Sequence, residues 1–255
     1  MQSFNPRQII VNSTEHQARF IHWGSLFGLV WVNRLTQEMD VVELFDDELE
    51  YRQHTPQVAG WNDDAVQIAE PFHFTLAPSA LLSNINAHQL TQQLGFSNQA
   101  FPKVHSLSEE GISVIHETSG LRGEEVIPMT IFWMKAFFQH LQLNEEPVFW
   151  MILRNKSFQF WVGKEQKLLL ANTFSFHGST DVLYHVLNVF QSLGINNQEA
   201  QIHALGEITE DAEVWKLLQR YVQRILPFGG LRLQAPHFFP DASVQSMAAL
   251  NVMTS

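Results

Sequence analysis

The chain contains no cysteine. That absence excludes disulfides, a thiol nucleophile, iron–sulfur clusters and cysteine-ligated zinc, and it fits a reducing cytosol. Charge is also scarce, at 16% of residues, and positive charge is the scarcer sign: 15 Lys+Arg stand against 26 Asp+Glu, a net −11. Such a balance argues against binding nucleic acid or an anionic membrane, because both attract basic patches. Long hydrophobic runs are missing. Stretches such as LLLANTFSF fall far short of the roughly 20 apolar residues a membrane span needs. The opening MQSFNPRQIIVNST has neither a basic region nor an apolar run, so no signal peptide is expected and the expected location is cytoplasmic. The phosphate-cradling patterns GxxxxGK[ST] and GxGxxG are absent, as is the GxSxG of acyl-transfer serines.

What is present is enough for a sizeable core: 255 residues, 45% of them hydrophobic, make one large domain or two small ones. The 20 Phe and 7 Trp belong for the most part to that core. With so few charges, the surface also suits a protein that sits against a partner. None of the 12 histidines forms HExxH, and none recurs at i, i+4 on a predicted helix. His177, His185 and His203 therefore read as core or surface imidazoles. Asp46, Asp47, Glu48 and Glu50 lack the glycine-centred loop of a calcium site and read as a solvated loop. Glu207 follows a strand, where α/β sites often lie, but its commoner role is helix-entry electrostatics. No metal site and no acid–base pair emerge.

Patterning predicts an α/β protein. Residues 1–18 read as peripheral. RFIHWG, GLVWVNR (after a turn at 25–27) and MDVVELF read as three strands. DDAVQIAE reads as a short helix capped by Asn62 or Asp63 and ended by Pro71. FHFTLA is a strand, followed by a helix over 79–94; KVHSL and ISVIHE are strands around the turn SEEG. VIPMTI leads into the helix FWMKAFFQHLQL, on which Phe132, Trp133, Ala136, Phe137 and Leu141 recur at helical spacing. The polar NEE before Pro147 marks a domain boundary, giving units 1–145 (with a small inserted segment near 79–110) and 146–255. In the second unit VFWMILR, SFQFWVG and KLLLANTFSF form a meander. A helix starting at Ser179 or Thr180 ends at Gly194, QIHALGEI is a strand, and Thr209 caps a helix whose first turn carries Glu210, Asp211 and Glu213. A last short helix is expected near 241–252.

GLVWVNRLTQEMDVVELF and SFQFWVGKEQKLLLANTFSF share one order: apolar strand, Trp-Val, polar reversal, apolar strand. Trp31-Val32 corresponds to Trp161-Val162. This repetition predicts a duplicated βββαβα unit.

FTLAPSALL at 74–82, LLLANTFSFHGSTDVLYHVLNVFQSLG at 168–194 and ALGEITEDAEVWKLLQRYV at 204–222 carry a resemblance to a bacterial family of unknown function with the actin-like ATPase fold, shared with actin, sugar kinases and heat-shock chaperones. The correspondence runs from about residue 70 to the end. The resemblance implies duplicated, ribonuclease H-like βββαβαβα domains with mixed sheets, as in the actin-like proteins of cell division and pilus assembly. It further implies ATP and Mg²⁺ between the domains, held by a glycine-rich hairpin with an acidic residue in each half and a late Gly-Gly pair. Here the first hairpin is HWGSLFG, with Gly24 and Gly28 but no Asp; the second is LRNKSF, with neither Gly nor Asp. The late strand keeps only Gly206 of its pair. Backbone N–H groups and a magnesium-binding carboxylate are what such hairpins supply, and Arg154-Asn155-Lys156 does not match them. The leading expectation is a non-enzymatic binding or scaffold protein with a degenerate nucleotide site, no cofactor, and a protein partner or homo-oligomer. The alternative is a nucleotide-dependent switch or ATPase with diverged loops, its cleft lined by Gly24, Gly28, Lys156 and Gly206. A metal-dependent hydrolase built on the histidines and the 46–50 run is the third reading.

Overall fold

The computed structural model describes residues 2–4, 15–23, 26–35, 39–45, 66–69, 73–82, 103–107, 111–117, 126–154, 156–206, 208 and 210–227. The chain divides into two compact units, one of residues 1–133 with 253–255 and one of residues 134–252.

In the first unit β1 (Gln2–Phe4), β2 (His16–Trp23), β3 (Leu26–Asn33), β4 (Met39–Phe45) and β5 (Val66–Ala69) come first in the chain. They are followed by β6 (His73–Pro78), α1 (Ser79–Leu82), β7 (Lys103–Leu107), β8 (Ile112–Glu117) and β9 (Val126–Pro128). A six-stranded sheet has the order β1-β4-β3-β2-β5-β9. Its β2–β3–β4 meander is antiparallel, whereas β5 lies parallel to β2 and to β9. The predicted meander is present, with Trp23 paired to Leu26, so Leu26 and Phe27 belong to the strand and not to the turn expected at 25–27.

Two further expectations for this unit are corrected. The stretch read as peripheral holds β1, whose ladder to β4 pairs Gln2 with Leu44 and Phe4 with Val42. A short polar strand at an edge needs only backbone partners, which leave no hydropathy signal. DDAVQIAE, read as a helix, contains strand β5. Between two parallel neighbours its N–H and C=O groups are satisfied on both sides, and Ile68 is buried. Four residues show too little periodicity to separate the two conformations, and sheet pairing overrides the weak helical pattern.

β6, β8 and β7 form a separate antiparallel sheet in that order. Of the helix expected over 79–94, Ser79–Leu82 is helical and the remainder lies outside the described residues.

Helix α2 (Met129–Gln142) contains the division between the units. It begins three residues earlier than its apolar stripe suggested, directly after Pro128. The sequence-based boundary at 145/146 assigns all of α2 to the first unit; the compact units divide it between Trp133 and Met134.

The second unit continues with β10 (Val148–Leu153), β11 (Ser157–Lys164), β12 (Lys167–Ser175) and α3 (Ser179–Leu193). A 3₁₀ turn (Asn197–Glu199), β13 (Gln201–Gly206), α4 (Glu213–Leu218) and β14 (Arg224–Pro227) complete it. Its sheet has the order β12-β11-β10-β13-β14, with β10–β11–β12 antiparallel and β13 parallel to both β10 and β14. Every residue of β10 is buried, because both faces of the sheet are covered, and such a strand reads as a continuous apolar run.

On one face Phe149, Met151, Phe158, Phe160 and Val162 pack with Val182, Val186 and Phe190 of α3 and Trp215 of α4. On the other, Phe137 of α2 lies 5.3 Å from Trp150 and 5.6 Å from Trp161, ring centre to ring centre. Gly163 lets the helix approach: a Cβ there would stand 2.8 Å from the Leu141 methyls.

Helix α4 is shorter than expected. Residues 210–212 form a turn and bend, so only Glu213 of the three acids occupies the first helical turn, while Thr209 lies outside the described residues. Strand β14 was not anticipated; a short edge strand ending in proline carries little pattern. The helix expected at 241–252 lies outside the described residues. Among the described residues no helix is long and apolar enough to cross a membrane.

Candidate functional site

Ligands of open α/β sheets bind outside the carboxyl ends of the strands. In the second unit those ends belong to β10 and β13, which run parallel with Leu153 and Gly206 as register partners. The chain leaves Leu153 through a tight turn into β11, closed by the Arg154 N–H donating to the Ser157 carbonyl at 2.8 Å. The Lys156 carbonyl accepts from the Phe176 N–H at 3.0 Å, tying the turn to the end of β12.

Arg154 and Lys156 then diverge. Lys156 is exposed to solvent. Arg154 is only 6% exposed, and its Nη1 donates to the Leu153 carbonyl at 3.2 Å. Opposite stands Gly206 at φ +92, in the region that favours glycine. A Cβ at Gly206 would lie 2.1 Å from the Leu153 carbonyl oxygen and 2.9 Å from Arg154 Nη1. The guanidinium thus fills the space above a strand end that only glycine leaves open.

Of the four residues read as lining a nucleotide cleft, Gly206 ends β13 beside Leu153, and Lys156 lies three residues beyond Leu153, tied to the end of β12. Gly28 is a buried strand residue of β3, paired with Ile21 and Leu44 in the first unit's sheet. Gly24 lies outside the described residues, as do Asn155 and Glu207. Arg154 was noted in sequence only as part of a turn lacking glycine and carboxylate. The available signal was a lone cation directly after six apolar strand residues. Chemically, the turn carries two cations, Arg154 and Lys156, and no carboxylate.

Among the described residues no group of three or more His, Cys, Asp or Glu suited to a metal occurs. The acidic run 46–50 lies outside them. His185 packs against Phe174, ring centres 4.8 Å apart. His177 is exposed, with its backbone N–H bonded to Asp181 Oδ2 at 2.8 Å. His203 stands beside His140 of α2, 5.0 Å between ring centres. Burial, then the neighbouring His140, lowers the His203 pKa to about 4. His140 is lowered by burial as well, and its Nδ1 accepts the Trp150 indole N–H at 2.8 Å. That bond makes His140 a neutral acceptor with its remaining proton on Nε2.

Residues 124–225 match the model of a family described as "Protein of unknown function (DUF3822)". Two of the three segments that carried the resemblance, 168–194 and 204–222, fall inside that match. No curated protein matches the chain. Among solved structures, a Bacteroides thetaiotaomicron protein with actin-like ATPase fold and unknown function superposes with a TM-score of 0.72 at 13% identity, covering 85% of this chain and 93% of that one. The PilM–PilN type IV pilus biogenesis complex gives a TM-score of 0.55 at 9% identity, covering 92% of this chain and 97% of that one. Over residues 124–225 the chain is similar to a family of unknown function, and its fold is the actin-like ATPase fold.

Proposed function

We propose that this protein is a non-enzymatic, cytoplasmic, actin-like binding or scaffold protein whose nucleotide site is degenerate. The observation that carries the reading is the turn at the carboxyl end of β10. A buried arginine and an exposed lysine stand there, and no carboxylate or glycine of the turn offers Mg²⁺ or phosphate a seat. Backbone cradles and metal carboxylates are what phosphoryl transfer runs on, so their replacement by side-chain cations removes the reaction while leaving the fold. One structural neighbour, PilM, was solved in complex with a protein partner, which fits a fold used for assembly. The duplicated plan belongs to the same reading. It is supported by the common arrangement of β4-β3-β2-β5-β9 and β12-β11-β10-β13-β14, each an antiparallel meander followed by two parallel strands.

A second reading, a nucleotide-dependent switch with diverged loops, is favoured by the exposure of Lys156 in the turn that follows β10. Thermal unfolding with and without Mg-ATP separates the two. A ligand at a hundred times its dissociation constant adds ~2.7 kcal/mol, or roughly 5–10 °C for a chain of this size. The scaffold reading expects no shift at millimolar Mg-ATP and no phosphate release; a reproducible rise in Tm sinks it.

A further inference from the structure

Arg154 is the one charged side chain that the second unit buries among the described residues. Its guanidinium keeps its charge at any pH a protein survives, and withdrawing such a charge from water is costly unless the surroundings are shaped for it. Here they are. The β10 strand end supplies the Leu153 carbonyl as acceptor, and its register partner on β13 is a glycine held at φ +92. Any larger residue at 206 would collide with Leu153 and crowd Nη1. The carboxyl ends of adjacent parallel strands are where a sheet of this kind would take a ligand.

We propose that Arg154 is a built-in occupant of that crevice: its guanidinium fills the space above Gly206 and closes the strand ends of the second unit from within. The unit is then complete without metal or nucleotide. This inference rests on the scaffold reading, since a plugged crevice has no use in an enzyme that must admit Mg-ATP there. It goes further by identifying what holds the crevice shut and by which chemistry.

Chemical rescue tests it on the full chain. Arg154→Ala is expected to lower Tm by ~5–10 °C. Millimolar ethylguanidinium should restore at least half of that loss, ethylammonium should restore none, and neither should move the wild type. An Arg154→Ala protein indifferent to ethylguanidinium overturns the proposal. Should that variant fail to fold, Arg154→Met and Arg154→Lys carry the test. Met fills similar volume without charge, and a wild-type Tm for it overturns the plug. A loss in Met with partial recovery in Lys supports it. Separately, a rise of the wild-type Tm with Mg-ATP defeats the scaffold reading, whichever way the guanidinium arm falls.

Discussion

His116 sits fully buried on β8 with neither ring nitrogen hydrogen-bonded. His105 lies 5.1 Å away, ring centre to ring centre, and Lys103 is its register partner on β7. Burial, then His105, then Lys103 push its pKa from 6.5 down to about 3. The sign follows directly. The folded state holds the ring neutral while the unfolded chain takes up a proton below about pH 6.5, so the stability tied to this group is full above that pH and drains away as pH falls toward 3. The loss approaches about 1.4 kcal/mol per pH unit for such a histidine. His203, lowered to about 4, acts in the same direction over a narrower window. His116→Leu, close in volume, removes both the unpaired nitrogens and the titration. It should stabilise the protein at pH 7 by about 1–2 kcal/mol and flatten the decline between pH 6.5 and 4. Urea unfolding at several pH values checks this, and an unchanged pH slope would count against it. Gly206→Ala is the opposite case. With φ at +92 and a backbone oxygen 2.1 Å from the new Cβ, nothing flexible can yield, and a loss of at least about 3 kcal/mol is expected in the same assay.

At the scale of elements, the β11–β12 hairpin turns through Glu165 at φ 52 and Gln166 at φ 60, both left-handed and neither glycine. Two-residue hairpin loops of this hand favour Asn-Gly, and a side-chain-bearing residue in that region costs roughly 1–2 kcal/mol. Replacing Glu165-Gln166 by Asn-Gly should raise stability by about 1 kcal/mol, less the small loss of the exposed Lys164–Glu165 contact at 3.9 Å. A drop in the unfolding midpoint would show that the turn is relaxed by some other means. This hairpin was legible in sequence because a polar GKEQK separates two long apolar runs. The second unit's meander and α3 were legible through their long apolar runs, and strands β7 and β8 through the polar SEEG between them. β5, β1 and β14 were not, since a strand of three or four residues is specified by its neighbours' backbones and not by its own side chains. The site shows a similar split. Gly206 and the 154–157 turn could be marked out by resemblance, and the turn's lack of a carboxylate was plain. The burial of Arg154 was not, because it depends on Gly206 standing opposite across a parallel ladder fifty residues on.

For the whole molecule, the net −11 conceals a strong asymmetry. Residues 1–133 hold 16 of the 26 acidic residues but only 6 of the 15 Lys+Arg, whereas residues 134–252 hold 10 acids and 9 bases. The first unit therefore carries nearly all the excess negative charge. Like charges spaced over one unit destabilise the compact state through self-repulsion. That repulsion is screened as the Debye length shrinks from roughly 14 Å in dilute salt to roughly 4 Å near half-molar. The second unit, close to neutral, has little repulsion to relieve, and its exposed ion pairs contribute too little for their screening to matter. Raising sodium chloride from about 0.05 M to about 0.5 M should thus increase amide protection in β2–β4 by roughly 0.5–1 kcal/mol. Protection in β10, β11 and β13 should stay within a few tenths of its starting value. Hydrogen exchange followed by peptide mass spectrometry reads the two units in one experiment. Equal gains in both would point to a general salting-out effect, and a loss in the first would mean that its carboxylates are held by attractive pairs.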